Sequence, residues 1–179
     1  IDTAEEARAV RAVHTAFGLT HIVYLVLLGV GRVGSSFLSM LEETRTRLLQ
    51  DKRLELRLVA AVNSRAFVID EDGIAPAEVL TRLSEGIARP PDAELMERLI
   101  AARFTNAILV DVTAADTHAL HKMALEAGIH VVTANKIPSS KSLASYRELV
   151  VARQKTGATY GYETTFGAAL PVLHTLKEL

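Results

Sequence analysis

Val26-Leu27-Leu28-Gly29-Val30-Gly31-Arg32-Val33-Gly34 is the stretch that decides the fold. The apolar run leading into it, Ile22 to Leu28, reads as a buried strand, and the amphipathic segment after it, from Val33 to about Leu49, reads as a helix. A strand, then G-x-G-x-x-G, then a helix gives each glycine a physical job. Gly29 permits the tight turn, Gly31 lets the backbone approach a pyrophosphate, and Gly34 lets the helix pack closely on its strand. The N–H groups of the first helical turn then face the diphosphate, where the helix dipole favours negative charge. A plain structural turn is the competing reading, and the flanking elements weigh against it. The expectation is a domain that binds NAD or NADP.

Composition bounds the rest. The chain has 179 residues, enough for one domain with a real core. Hydrophobic residues make up 49% but aromatics only 5%, with no Trp, so the core is aliphatic, as buried parallel sheets prefer. A formal net charge of −1 offers no field to draw nucleic acid or an anionic membrane. Cys is absent, which removes disulfides and thiolate catalysis and fits a reducing, cytoplasmic setting. The longest strongly apolar run, Ile22 to Val30, is too short to span a bilayer, and the acidic start, Asp2 to Glu6, is wrong for a signal peptide.

Outward from the glycines, Thr3-Ala4-Glu5-Glu6 reads as a capping box opening a lead-in helix that Gly18 ends. Residues 1–18 are therefore set apart from a dinucleotide-binding domain over 19–179. Leu54 to Val62 is the second strand. Residues 66–91 form an excursion, with a short strand at Ala66–Ile69, an acidic turn and a short helix around Pro76–Ser84. Asp92 is expected to cap a helix to about Arg103. Further strands are expected at Ala107–Val112, Ile129–Ala134 and Ala158–Glu163. Helices follow Asp116, span Ser142–Gln154 and begin at Ala169. Strands alternating with helices predict an α/β, doubly wound parallel sheet of Rossmann type.

Ligands of such sheets lie beyond the carboxyl ends of the strands, so the strand ends carry the functional reading. The second strand ends in Asn63-Ser64-Arg65, where an NAD-specific site places a carboxylate. Ser64 and Arg65 can instead contact a 2′-phosphate, which favours NADP over NAD, unless Arg65 only faces solvent. The next strand ends at Thr113, positioned for the ribose and nicotinamide side or simply for a strand-to-helix turn. Thr133-Ala134-Asn135-Lys136 follows, and the Lys136 ammonium either contacts the nicotinamide or a substrate oxygen, joining proton transfer if desolvated, or is solvated. Glu163 either binds a substrate ammonium or a cation, or is a solvated residue before a helix. His118 and His121 share one helix face, but no third ligand at fitting spacing supports a transition metal.

Together and in order, these segments resemble homoserine dehydrogenase. The resemblance rests on L-L-G-V-G-R-V-G-S-S-F-L (27–38), V-A-A-V-N-S-R-A (59–66), V-D-V-T-A-A (110–115), H-V-V-T-A-N-K (130–136) and Y-E-T-T-F-G-A-A-L-P-V-L (162–173). The last two are the specific ones. The lead-in helix and the N-S-R strand end look more like the bifunctional aspartokinase–homoserine dehydrogenases. The resemblance implies NAD(P)-dependent interconversion of L-homoserine and L-aspartate 4-semialdehyde, in threonine and methionine biosynthesis. It implies that Gly29, Val30, Gly31, Arg32, Val33 and Gly34 hold the diphosphate, Arg65 with its neighbours Asn63 and Ser64 the 2′-phosphate region, and Thr113, Thr133 and Lys136 the nicotinamide end, with Lys136 as the catalytic candidate. It also implies a monovalent cation such as sodium at Glu163, Phe166, Ala168 and Leu170, although Phe166 replaces the family's usual Val and Ala169 a usual Gly.

The chain starts on Ile1 and stops at Leu179 inside an expected helix, so both ends look cut. The family's substrate and dimerisation domain would follow Leu179, where the proton-donor lysine and most homo-oligomer contacts belong. The expectation is a fragment that binds cofactor but does not turn over its small-molecule substrate unaided. Two alternatives stand beside this reading, another amino-acid dehydrogenase of aspartate dehydrogenase type and a non-catalytic nucleotide-sensing module.

Overall fold

The protein is described by a computed structural model covering residues 20–165. The expected lead-in helix, the helix from Ala169, and Phe166, Ala168 and Leu170 lie outside the described residues. In chain order the elements are β1 (His21–Leu28), α1 (Arg32–Lys52), β2 (Leu54–Val62), β3 (Ala66–Ile69), a tight helical turn (Pro76–Glu78), α2 (Val79–Ser84) and β4 (Ile87–Ala88). Then come α3 (Asp92–Ala101), β5 (Ala107–Asp111), α4 (His118–Glu126), β6 (His130–Thr133), α5 (Ile137–Ser140), α6 (Leu143–Thr156), β7 (Tyr160–Gly161) and a last turn (Glu163–Thr165).

Among the described residues, seven strands form one sheet in the order β4-β3-β2-β1-β5-β6-β7. β2, β1, β5, β6 and β7 run parallel, as expected. β3 runs antiparallel to both of its neighbours, β2 and β4, so the sheet is mixed. The cause is the loop after β2: the Asn63 side-chain oxygen accepts from the Arg65 and Ala66 N–H groups, both at 2.7 Å, and folds the chain straight back. A parallel return would need a crossover of a dozen or more residues. The excursion over 66–91 is thus a sheet extension.

Both faces of the parallel strands are covered, and the two-residue period divides their side chains between two cores. Val26, Leu28, Leu109 and Val131 pack with α3 (Leu95, Met96, Leu99), α4 (Leu120, Ala124, Leu125) and α6 (Leu149, Ala152). Leu25, Leu27, Leu58 and Val110 pack with α1 (Leu38, Leu41) and α2 (Val79, Leu83). The register between β1 and β2 shifts after Leu25, whose partner is Leu58, to Val26, whose partner is Ala60. Val59 is the extra residue, and it shares a face with Ala60.

Several boundaries move for local reasons. α1 runs to Lys52 and stops where Arg53 adopts a left-handed conformation (φ 50°). Asp92 is the first residue of α3 rather than its cap, held by an ion pair to Arg89 at 2.6 Å. The last expected strand shrinks to Tyr160–Gly161, because Tyr162 already accepts the N–H of Thr165 and starts a turn. Ser142 caps α6 as a side-chain acceptor for Ser145 N–H, and Gly157 closes it at φ 74°.

Candidate functional site

The strand order reverses at β1, with β2 on one side and β5 on the other, so the loops leaving β1 and β5 open a crevice at their carboxyl ends. Gly29 sits at its base with φ 94°, its N–H donating to the Val62 carbonyl at 2.8 Å. A Cβ there would lie 3.0 Å from Thr113 Cγ2, so the two loops touch. Gly34 is buried against the turn. Gly31 differs: a Cβ on it would meet no atom within 4 Å. No neighbouring atom therefore excludes a side chain at 31.

No side chain caps α1, since Gly31 is its N-cap and no carboxylate stands in its first turn. Its amino terminus is an electropositive end beside an open crevice. Arg32 and Val33 are exposed there, whereas Val30 is half-buried. Val30 also lines an open depression of about 540 Å³ with Asn63, Ser64, Arg65, Leu80, Leu83 and Ser84. The glycine turn and the end of β2 therefore share one hollow. Asn63 spends its side-chain oxygen on the turn, while Ser64 and Arg65 are exposed. Another groove, of about 490 Å³, lies at the amino end of the strands between α1 and β2. Its Arg57 is paired to Glu55 at 2.6 Å, and it lies away from the crevice.

Beneath the other half of the crevice is a buried polar cluster that sequence reasoning missed. Asp111, at the end of β5, has no exposed surface. Its Oδ2 accepts from Thr117 Oγ1 at 2.6 Å, His121 Nε2 at 2.8 Å and Asn135 Nδ2 at 3.1 Å, and its Oδ1 accepts the Thr113 N–H at 2.8 Å. Burial works to raise the Asp111 pKa, but the hydrogen bonds from His121, Thr117 and Thr113 outweigh it and bring it down to about 2. Asp111 is a carboxylate throughout the ordinary pH range. His121, equally buried, places Nδ1 3.2 Å from the Tyr160 hydroxyl. Burial, with the Asp111 charge nearby, pushes the Tyr160 phenol above its usual range, so that hydroxyl keeps its proton and donates to Nδ1. We assign the ring proton to Nε2 on this hydrogen-bond pattern.

Asn135 ties the crevice loops to this carboxylate. Its two amide hydrogens are shared among Ala115 O at 2.7 Å, Thr113 Oγ1 at 3.0 Å, and Asp111 Oδ2 and Thr117 Oγ1, both at 3.1 Å. Its Oδ1 accepts the Ile137 N–H at 3.1 Å, which shapes the turn carrying Lys136. Thr133 is buried, and its hydroxyl accepts the Asn135 N–H at 2.9 Å, so its side chain acts inward. Lys136 is exposed at the start of α5. Glu163 opens the last turn, which Thr164 ties to β6 through the Thr133 carbonyl at 3.1 Å. His118 bonds the Ser145 carbonyl at 3.0 Å, away from the partners of His121. Among the described residues no group of three His, Cys, Asp or Glu could hold a metal, and no helix is long and apolar enough to cross a membrane.

The cluster left a trace in the sequence. Asp111 interrupts an otherwise apolar strand, and His121 falls on the face of α4 that buries Leu120, Ala124 and Leu125. An ionisable group on each of two core faces needs a partner, and these two supply one another.

The family model for the NAD-binding domain of homoserine dehydrogenase matches residues 29–163. Among curated proteins, the chain is similar to the bifunctional aspartokinase/homoserine dehydrogenase of Haemophilus influenzae, 34% identical over 174 residues, covering 96% of this chain and 21% of that protein. It is also similar to the chloroplastic bifunctional aspartokinase/homoserine dehydrogenase 1 of Zea mays, 31% identical over 176 residues, covering 96% and 19%. The chain thus spans about a fifth of the length of these relatives. Among solved structures it is similar to a hyperthermophilic archaeal homoserine dehydrogenase in complex with NADPH, with TM-score 0.69, 25% identity and coverage of 87% of this chain and 48% of that one. A Candida auris protein of unknown function superposes with TM-score 0.77 at 26% identity, covering 89% and 44%.

Proposed function

From the premise that this chain belongs to the homoserine dehydrogenase family, as a member of its NAD-binding domain, we propose that it holds NADP across the carboxyl ends of β1, β2, β5 and β6 and forms the cofactor half of an enzyme interconverting L-homoserine and L-aspartate 4-semialdehyde. The observation that carries this reading is Gly31, a glycine with open space around it at the uncapped start of α1. The backbone N–H groups at that helix start would hold the diphosphate. Ser64 and Arg65 reach the 2′-phosphate from the shared hollow, and both are exposed and able to turn toward it. A relative's complex with NADPH supports the phosphate-bearing form.

A dinucleotide held by these residues would supply the hydride acceptor or donor. The chain's own residues orient it: the Thr113 loop and the Asn135–Lys136 turn flank the nicotinamide end, and the Lys136 ammonium is available to a substrate oxygen. Glu163, on a turn tied to β6, stands at the same end. It serves the substrate ammonium, or, with the carbonyls of Phe166, Ala168 and Leu170, a monovalent cation such as sodium. The remaining walls of the substrate pocket and the contacts of a homo-oligomer are supplied by the parts of such enzymes that this chain does not span.

Fluorescence titration with NADPH and NADH tests the reading. Saturable binding with NADPH the tighter ligand is expected, with no homoserine-dependent reduction of NADP by the chain alone. Binding of neither nucleotide overturns it.

A further inference from the structure

We propose that Asp111 and His121 are positioning residues for the nicotinamide end of the site: their buried pair fixes Asn135, and through Asn135 the Thr113 and Lys136 loops, in the arrangement the dinucleotide meets. This rests on the cofactor reading above and deepens it.

Three observations carry it. The first is direction. The groups bound to Asp111 include the Thr113 amide, the Thr117 hydroxyl and the Asn135 carboxamide, which come from the segments following β5 and β6 on the crevice side. The second is reach. Asn135 extends the hold to Ala115 O and to the Ile137 N–H, the two ends of the gap between those loops, and Ile137 follows Lys136 directly. The third is the locked ring. Tyr160 donates to His121 Nδ1, so Nε2 presents its proton to Asp111 in one tautomer only. Fold stability alone does not call for such a device, because a buried polar network is often replaceable by apolar side chains of the same shape at little loss. A carboxylate with four donors, three of them from the crevice side and the fourth a ring anchored in the core, is what orientation of a loop requires.

The experiment uses His121→Leu, which removes the donor, His121→Gln, whose amide nitrogen falls near the Nε2 position, and Tyr160→Phe, which removes one hydroxyl and frees the ring. Each is titrated with NADPH and with 2′,5′-ADP, a probe that has the adenosine half and lacks the nicotinamide. The Asn135 side-chain amide and Thr113 backbone amide are followed by NMR without ligand. His121→Leu should weaken NADPH about tenfold while 2′,5′-ADP stays within about twofold, the scale of one charge-assisted hydrogen bond felt at one end of the ligand. His121→Gln should recover most of the loss, Tyr160→Phe should fall between, and both amide signals should move in His121→Leu and Tyr160→Phe.

Equal losses for both probes, or no loss for either, overturn the proposal. If His121→Leu does not fold, an unchanged NADPH affinity and unmoved Asn135 signal in Tyr160→Phe do the same. An unsubstituted chain that binds neither probe overturns the cofactor reading instead, and the amide signals still report whether His121 anchors Asn135.

Discussion

A Cβ placed on Gly34 would lie 2.1 Å from the carbonyl oxygen of Gly29, far inside van der Waals contact. The two outer glycines of the turn are locked to each other by backbone, while the middle one faces open space. Gly34→Ala should therefore cost about 3 kcal/mol or more, as overpacking against an immovable atom does. Gly31→Ala, at φ −88°, should cost no more than about 1 kcal/mol, the preference of an N-cap for Gly over Ala, yet bind NADPH about tenfold more weakly, the loss of one good contact. Paired urea melts and titrations separate the two; a Gly31→Ala variant with unchanged affinity removes the diphosphate from this loop.

Arg65 is exposed, its backbone carbonyl held by the Arg89 N–H at 2.8 Å, so the strand end is fixed while its side chain is free to follow a phosphate. Arg65→Ala should weaken NADPH by about tenfold to a hundredfold, the range of a charge-assisted hydrogen bond, and leave NADH unchanged. Equal effects on both nucleotides would make Arg65 a surface residue.

Asp111 predicts an acid-sensitive stability with a defined sign. Its folded pKa is depressed from 3.8 to about 2, so the unfolded chain takes up a proton first as pH falls. The contribution is complete above the unfolded value and drains away as pH drops toward the folded one. Asp111→Asn, which turns an acceptor into a donor among four donors, should lose about 3–5 kcal/mol at pH 7. The gap between variant and wild type should narrow as the folded pKa is approached. Urea unfolding at neutral and acid pH reads this directly, and a gap that widens on acidification contradicts it.

Leu109 is fully buried at the centre of β5, in the core shared by α3, α4 and α6. Leu109→Ala should cost about 2–5 kcal/mol. The same truncation at Leu49, 42% exposed on α1, should change stability by less than about 0.5 kcal/mol. Chemical denaturation of the two variants side by side is the check.

Elements with strong periodicity were readable from sequence. Leu54–Val62 falls where the alternation of Leu54, Leu56 and Leu58 places it, because the strand has a covered face that sets its register, and the short strand expected at Ala66–Ile69 in a poorly patterned excursion is also present. β4 was not readable: Ile87 and Ala88 are both exposed, and two residues carry no period. Nor was α5, whose four residues follow from the Asn135 turn rather than from an apolar stripe. The glycine half of the site was legible because its chemistry is written in consecutive residues. The Asp111 half was not. Its members, Asp111, Thr117, His121, Asn135 and Tyr160, come from β5, β6, β7 and the segments beside them, and only the folded sheet brings them within hydrogen-bonding distance.

The hold that Asp111 exerts on the crevice loops also has an entropic meaning. Loops at the ligand end of a sheet are ordinarily the first part of a domain to open. Here the Thr113 amide ends on a buried carboxylate, and the Ala134 and Asn135 amides end on the Asp111 carbonyl and the Thr133 hydroxyl. Hydrogen exchange at these amides should follow the protection of β5 rather than that of exposed turns. Under the proposed cofactor reading, a nicotinamide ring arriving there would find a surface already still, and little of the binding free energy would be spent on quieting it.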